Sequence, residues 1–448
     1  MSQTDSAFSF VDAEHTVLEF WEKEGIFEQS LEQTADCPPY IFYDGPPFAT
    51  GLPHHGHLLA GTLKDIVPRY WTMKGHYVQR RFGWDTHGLP VEQEINKALG
   101  MDAHQALESL GVKGYNDECR KIVSKYTKEW RSTVTRLGRW VDFDNDYKTM
   151  DTPFMESCWW VFKSLWDKGL VYQGTKVVPF STALGTVLSN LEAGLNYKDV
   201  QDPAVTVLCK ADDADEYFAI WTTTPWTLPS NIAICAGPTI EYVRVRDHDQ
   251  NKTIILAAAR VETYSKNRNI EVIGESFTGD TLAGRGYQPL FPYYAEHKND
   301  GAFVIVTDDY VADDGGTGLV HQAPAFGEDD NRILKAHNIP FEPCPIDVAG
   351  RFTDEVPDFV GQYVKDADKP IIQALKQQGV LYDNGNIVHS YPFCYRSDTP
   401  LIYRTIPSWY IQVETMRDRL TAANNQIRWV PEHIKEGRFG QWLEGARD

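Results

Sequence analysis

The spacing of apolar positions changes along the chain, and each change predicts an element. Over residues 13–24 they recur at helical intervals, with Leu18 and Trp21 on one face and Val17 and Phe20 beside them. This predicts an amphipathic packing helix, capped by Asp12 and ended by Gly25. Tyr40–Tyr43 is a short apolar run stopped by Asp44, Gly45, Pro46 and Pro47, which reads as a strand running into a loop. The loop is rich in Gly and Pro and closes on Pro53-His54-His55-Gly56-His57. Leu59, Leu63, Ile66, Val67 and Tyr70 then form a second helical stripe, which Pro68 should kink and Gly75 end. Tyr77–Phe82 reads as the next strand, leading into Gly83-Trp84-Asp85-Thr86-His87-Gly88. Strand, helix and strand make a β-α-β unit. Ligands of parallel sheets sit beyond the carboxyl ends of the strands, so His54–His57 and Asp85 are expected at one crevice.

Val91–Trp140 reads as helical with a break near Gly111–Gly114, and Leu137–Asp151 as a polar, aromatic loop. Phe154–Lys168 is expected to be a helix that puts Trp159, Trp160 and Trp166 into the core, with Gly169 at its end. The texture changes around Gly185–Asp202. From Ala204 short β-type runs dominate, VTVLCK and YFAIWTTT among the first, separated by turn residues. They predict a second domain, a β-barrel or compact mixed β fold, ending near Asn384–Gly385. The expected division is a helical extension over 1–39, an α/β domain over 40–170, a connective segment over 171–203, the β-rich domain over 204–385 and a returning segment over 386–448.

Composition narrows the class. The chain has 448 residues, 42% hydrophobic and 12% aromatic, which suits a globular protein of several domains. No apolar run approaches the ~20 residues of a membrane span. The first residues, MSQTDSAFSFVDAEH, have neither the basic start nor the apolar centre of a signal peptide, and are too acidic for a transit peptide. Seven cysteines are scattered with no CxxC pair, as expected of reduced thiols in the cytoplasm. A net charge of −20 argues against a general nucleic-acid coat, though not against a local basic groove.

Three constellations carry candidate chemistry. His54, Gly56 and His57 stand at a helix entrance, where free N–H groups and the dipole favour an anion such as phosphate. A surface histidine cluster and a metal site are the alternatives, the latter lacking a Cys or carboxylate at ligand spacing. Asp85 at a strand end could cap the following helix or hold an ammonium group. Trp221–Asn231 places hydroxyls at Thr222, Thr223, Thr224 and Thr227, either on the wet face of a strand or in a pocket. Gly316–Asp330 adds His321 and Asp330 on a loop rich in Gly and Pro. A polar pocket with a carboxylate and no nucleophile elbow suggests water-mediated hydrolysis of a cationic ester.

Taken together, DGPPFATGLPHHGH, RFGWDTHGLPVEQEI, LGRWVDFDNDYKTMD, PFSTALGT, WTTTPWTLPSN and GTGLVHQAPAFGEDD resemble, in content and order, the class I aminoacyl-tRNA synthetases, and among them the isoleucyl branch. The resemblance runs from about Asp12 to Asp448. It implies the first half of a doubly wound α/β, Rossmann-type catalytic domain with an inserted β-rich editing domain. It implies activation of L-isoleucine by ATP with Mg2+, transfer to tRNA(Ile), and hydrolysis of misattached valine. One methylene gives only ~1–3 kcal/mol of discrimination, a general value for which isoleucine against valine is itself the standard example, so a second sieve is needed. His54, Gly56 and His57 would serve the ATP phosphates, and Pro46 and Asp85 the amino acid. Thr222, Thr223 and Thr224 would shape the editing pocket, His321 would exclude isoleucine, and Asp330 would anchor the ammonium of valine.

Two departures from the family pattern follow. The sequence holds no KMSKS-like word and no anticodon-binding helical domain, so the resemblance implies an N-terminal fragment that forms adenylate poorly alone. A multi-synthetase complex would be reached through absent regions. Paired cysteines of some relatives are replaced by Ser181 and Leu184, then Cys394 and Ser397, so no structural zinc is expected. A free-standing hydrolase acting on valyl-tRNA and an inactive RNA-binding protein are the rival functions.

Overall fold

The computed structural model describes residues 8–448, which divide into two compact units at Val171/Tyr172. In chain order unit 1 holds α1 (Phe10–Glu24), α2 (Ile26–Glu32), α3 (His55–Met73), β1 (Arg81–Trp84), α4 (Leu89–Leu99), α5 (Ala103–Arg136), β2 (Asp142–Lys148) and α6 (Thr152–Asp167). β1 and β2 pair in parallel, with Gly83 opposite Tyr147 and Trp84 opposite Lys148. The core forms where Phe82 and Trp84 meet Ala49, Val91, Val123, Trp130 and Val134.

The helices begin and end for local reasons. Gly25 closes α1 at φ 60, as expected, but the cap is Ser9, whose hydroxyl accepts from Asp12 N–H at 3.3 Å. Asp12 lies inside the first turn instead. Pro68 sits within α3 and Gly75 follows its end at φ 82. Gly111, at φ 67 and ψ 165, interrupts α5 within the expected break.

Four expectations for unit 1 are corrected. Tyr40–Tyr43 is not a strand. The segment lies parallel to the line of β1 and bonds to it only at its two ends, Tyr40 N–H to Tyr77 O at 2.8 Å and Asp85 N–H to Pro47 O at 2.8 Å. Ile41 and Tyr43 stand exposed between those ends. The strand expected over Tyr77–Phe82 begins only at Arg81, and the supposed loop Leu137–Asp151 contains β2. β2 is a polar strand: Asp144 pairs with Arg131, and Asp146 accepts from Trp84 Nε1–H at 2.8 Å. Its apolar anchor, Phe143, stacks on Phe82 at 4.8 Å. Finally, Trp159, Trp160 and Trp166 are not core; they are 64%, 70% and 51% exposed. Trp159, Trp160, Val161 and Phe162 are consecutive, and steps of about 100° spread them around α6, so one packed face cannot take them all.

Unit 2 contains β3 (Val171–Ser181), β4 (Thr186–Val187), α7 (Asn190–Ala193), β5 (Tyr197–Lys210), β6 (Tyr217–Thr222), β7 (Ala233–Ala236), β8 (Glu241–Asp247) and β9 (Lys252–Ala257). It continues with α8 (Val261–Ser265), β10 (Ile270–Thr278), β11 (Val304–Thr307), β12 (Leu319–Gln322), α9 (Glu328–Ala336), α10 (Val364–Gln377), β13 (Leu381–Pro392) and β14 (Ile402–Ile411). Two short helices, α11 (Arg417–Asn425) and α12 (Arg438–Glu444), follow. A six-stranded sheet runs β10-β8-β9-β6-β5-β13, and two three-stranded sheets run β11-β7-β12 and β14-β3-β4. The sheets are mixed: β6 runs parallel to β9 and β11 parallel to β7, while β12 is antiparallel to β7. The long ribbon β5–β13 sets Ala204 opposite Gly385, and continues on both sides of that pair. The main core gathers Val205, Phe218 and Ile220 of β5 and β6, Ile234 of β7 and Ile371 of α10 with Trp226 and Tyr287. The fold is therefore α/β, with a β-rich second unit. Among the described residues no helix is long and apolar enough to cross a membrane.

Candidate active sites

In unit 1 the loop before α3 is organised by its own histidines. His54 caps the helix, its Nδ1 accepting the Gly56 N–H at 3.1 Å, and His57 Nδ1 accepts the His54 N–H at 3.2 Å. The two rings stack at 3.7 Å, and His57 meets Trp130 edge-on at 4.8 Å. Because each Nδ1 accepts, each imidazole in its neutral form carries its proton on Nε2, a donor left for another group. Partial burial pushes the pKa of His57 down, helped by His54 and Lys64, so this ring is neutral at pH 7. A Cβ at Gly56 would lie 3.0 Å from the His54 ring, close enough that the exposed ring would have to shift. Trp130 Nε1–H ties the preceding loop down by donating to Gly51 O at 2.7 Å.

Asp85 directly follows β1 and exchanges backbone bonds with Pro47 and Ala49, opposite Phe48 and one residue beyond Pro46. Its carboxylate is 3.5 Å from Thr149 Oγ1. Thr149 is buried and is the hub of this corner: it accepts from Thr86 N–H at 3.0 Å and bonds His87 Nδ1 at 3.0 Å. Close by, Asp44 pairs with Lys64 and, at 2.6 Å, with Arg139. Thr149→Val should destabilise unit 1 by about 1–3 kcal/mol, because the buried Thr86 N–H loses its acceptor. Urea unfolding checks this, and an unchanged midpoint would contradict it.

The second site lies wholly within unit 2. A cavity of about 380 Å³ is lined by Trp221, Thr222, Thr223, the glycine loop Gly315–Gly318, His321 and Asp330. Thr224 stands one step behind the wall. Its hydroxyl is 3.2 Å from Thr222 Oγ1 and 3.3 Å from Thr227 Oγ1, and Thr227 Oγ1 is 3.1 Å from His321 Nε2. A chain of hydroxyls thus runs from the cavity wall to the histidine. Burial lowers the His321 pKa to about 4, so the ring is neutral at physiological pH. Burial raises that of Asp330 to about 6, against the N–H of Ala323, which donates to Asp330 Oδ2 at 2.8 Å. No cation pairs with Asp330 among the described residues.

The family model for class I tRNA synthetases (I, L, M and V) matches residues 16–448. The chain belongs to the class I tRNA synthetases. It is similar to the cytoplasmic isoleucine–tRNA ligase of Mus musculus, 54% identical over 100% of this chain and 36% of the relative. It is similar also to the isoleucine–tRNA ligase of Chlamydia pneumoniae, 53% identical over 98% of this chain and 42% of the relative. The chain thus spans less than half the length of these curated relatives. A solved complex of Agrobacterium radiobacter LeuRS with tRNA and LeuAMS overlaps at a TM-score of 0.34 and 14% identity, over 87% of this chain and 51% of that one.

The structure places His54, Gly56 and His57 together, joins Asp85 to the loop at Pro47 and Ala49, one residue beyond Pro46, and sets Thr222, Thr223, His321 and Asp330 around one cavity. Thr224 belongs to that cavity only through its neighbours. Sequence reasoning missed Thr149, Trp130 and the Asp44–Lys64–Arg139 group, whose partners are distant in the chain. Cys394 is buried, near the hydroxyls of Ser181 and Ser397, and Leu184 packs against its cluster. Among the described residues no three His, Cys, Asp or Glu side chains gather as a metal site.

Proposed function

We propose that the chain serves the ATP-dependent attachment of isoleucine to tRNA(Ile), and that the cavity of unit 2 hydrolyses valine misattached to that tRNA. The names of relatives at 52–54% identity support the first part. One observation carries the second: the Asp330 carboxyl is desolvated on the wall of a threonine-lined cavity and has no cation partner among the described residues. A buried carboxylate without a counter-charge gains most when an ammonium arrives. The α-ammonium of an aminoacyl ester would bring that charge and set the ester among the hydroxyls of Thr222 and Thr223. Water would then be the nucleophile, and the neutral His321 would limit the length of side chain admitted.

In unit 1, the Nε2–H donors of His54 and His57 would hold the ATP phosphates, and Gly56 would allow close approach. ATP and Mg2+ enter as substrate. Asp85 would take the isoleucine ammonium and Pro46 its side chain. On this reading 40–170 serve activation, 204–385 serve editing, 171–203 and 386–448 connect them, and 1–39 are an extension. A cytoplasmic location is part of the same proposal.

The test is release of amino acid from valyl-tRNA(Ile) and isoleucyl-tRNA(Ile) by the purified chain. Valine should be released faster; no release, or equal rates, would sink the editing assignment. Gly56→Ala, by displacing the His54 ring, should weaken ATP binding about tenfold, the scale of one lost hydrogen bond. Calorimetric titration reads this, and an unchanged affinity would remove the loop from the nucleotide site.

A second reading, a free-standing editing hydrolase, is favoured by a cavity built from unit 2 alone. It predicts deacylation that Asp330→Ala abolishes and His57→Ala spares, with no isoleucine-dependent ATP–pyrophosphate exchange. An inactive RNA-binding protein would show neither activity.

A further inference from the structure

The threonine segment depends on a contact from a distant helix. Thr222–Thr224 runs into a tight 3-10 turn, Pro225–Ser230, which carries Thr227. Such a turn begins with N–H groups that have no partner inside it, and the side chain of the preceding residue ordinarily meets one of them. Here that residue is Thr224, and it makes no such bond. Its hydroxyl is engaged with Thr222 and Thr227 instead. Pro225 has no N–H, so Trp226 offers the first donor of the turn. That N–H is met from 142 residues away, by Asp368 Oδ1 at 2.9 Å.

Asp368 is fixed for this task. It is 6% exposed, on the face of α10 that buries Val364, Ala367, Ile371 and Leu375. A carboxylate is rarely buried on such a face without a partner that needs it. We infer that Asp368 is a positioning residue for the cavity of unit 2: it caps the threonine turn from outside, which frees the Thr224 hydroxyl to join Thr222 on the cavity wall to Thr227 and so to His321. This rests on the reading of that cavity as a hydrolytic site.

The surroundings of Asp368 make the cap sensitive to pH. Burial holds its carboxyl up at about 7, and Asp202 of β5 acts in the same direction. Lys365, on the same helix, and the Trp226 N–H pull the other way. His389 of β13 faces Asp202 at 3.1 Å, and Lys365 lies over the ring of Tyr391, also on β13. An ionised carboxylate is a stronger acceptor than its acid, so the cap tightens as pH rises through neutrality.

The experiment compares wild type, Asp368→Asn and Asp368→Ala in hydrolysis of valyl-tRNA(Ile) by the whole chain. Asp368→Ala should lower kcat about tenfold or more, with a smaller change in KM, since the turn loses its acceptor. Asp368→Asn keeps an acceptor but not the charge. It should match wild type near pH 6 and fall behind by about threefold to tenfold near pH 8. Two active variants indistinguishable from wild type would overturn the inference, and so would an Asn variant as damaged as Ala at every pH. If wild type itself hydrolyses nothing, the reading of the cavity fails, and amide exchange over 222–231 judges the cap. Exchange should quicken in Asp368→Ala and stay slow in Asp368→Asn; equal protection in Asp368→Ala would overturn it.

Discussion

Asp330→Asn should abolish hydrolysis of valyl-tRNA(Ile) and yet melt at a higher temperature than wild type at pH 8. The two effects have one cause. The carboxyl sits where burial lifts its pKa to about 6 from an ordinary 3.8, with no cation among the described residues to offset the lost water. In the unfolded chain the group ionises near its ordinary value. Between the two values the folded state keeps a proton that the unfolded state has lost, so stability falls as pH rises across that window. Above about pH 6 the penalty is complete and constant; below about pH 4 it is absent. Asparagine keeps the volume and an acceptor for Ala323 N–H but never ionises. Its thermal advantage should therefore be full at pH 8 and vanish near pH 4. Activity moves oppositely, because the ammonium of the substrate loses its counter-charge. Removing one member of a buried charge pair costs about 2–5 kcal/mol, so the rate should drop on the order of a hundredfold or more. Scanning calorimetry at two pH values and a deacylation assay read both. A variant that keeps its rate, or gains no stability at pH 8, would show that Asp330 is not a strained ammonium anchor.

What the sequence revealed follows from how local each signal is. α3 and its histidines were legible because a Gly- and Pro-rich loop gives way to a strict helical stripe, and both signals lie within twenty or so residues. β2 was hidden because its alternation uses aspartates where a buried strand would carry Val or Ile, so polarity masked the period. The tryptophans of α6 misled because aromatic residues count as core in composition, while their consecutive order forbids a single packed face. In the second site the threonines, His321 and Asp330 lie in two short words and could be named from them. The links that make them one site could not. His321 reaches Thr227 across 94 residues, and the Trp226 N–H reaches Asp368 across 142. Thr149 was missed similarly, since a lone threonine after a polar stretch says nothing until β2 is laid beside β1.

Gly83→Ala is the substitution expected to damage unit 1 most. Gly83 is the third residue of β1, opposite Tyr147 of β2. A Cβ there would lie well under 3.0 Å from three atoms of the Tyr147 side chain, two of the ring and the hydroxyl oxygen. No real contact is that short, and the ring has little freedom to retreat. It stacks on Phe154 at 6.1 Å, and its hydroxyl donates to Asp44 O at 3.3 Å. Asp44 is itself held by Lys64 and Arg139. Relief must come from separating β1 and β2 or from expelling Tyr147, and either costs about 1–3 kcal/mol or more in a packed core. The damage reaches the candidate amino-acid site through the backbone: Asp85 follows Gly83 by two positions, and Thr149 follows Tyr147 by two. Opening the ladder between them would pull Thr149 away from Thr86, His87 and Asp85. Gly83→Ala should therefore lower the urea midpoint of unit 1 and weaken isoleucine binding, while valyl-tRNA(Ile) hydrolysis in unit 2 is retained. The companion variant Tyr147→Ala removes the clash, so Gly83→Ala/Tyr147→Ala should be less destabilised than the sum of the two single changes. Additive losses in that cycle would mean that the glycine is required for another reason, and equal isoleucine affinity in Gly83→Ala would separate Asp85 from the register of this strand pair.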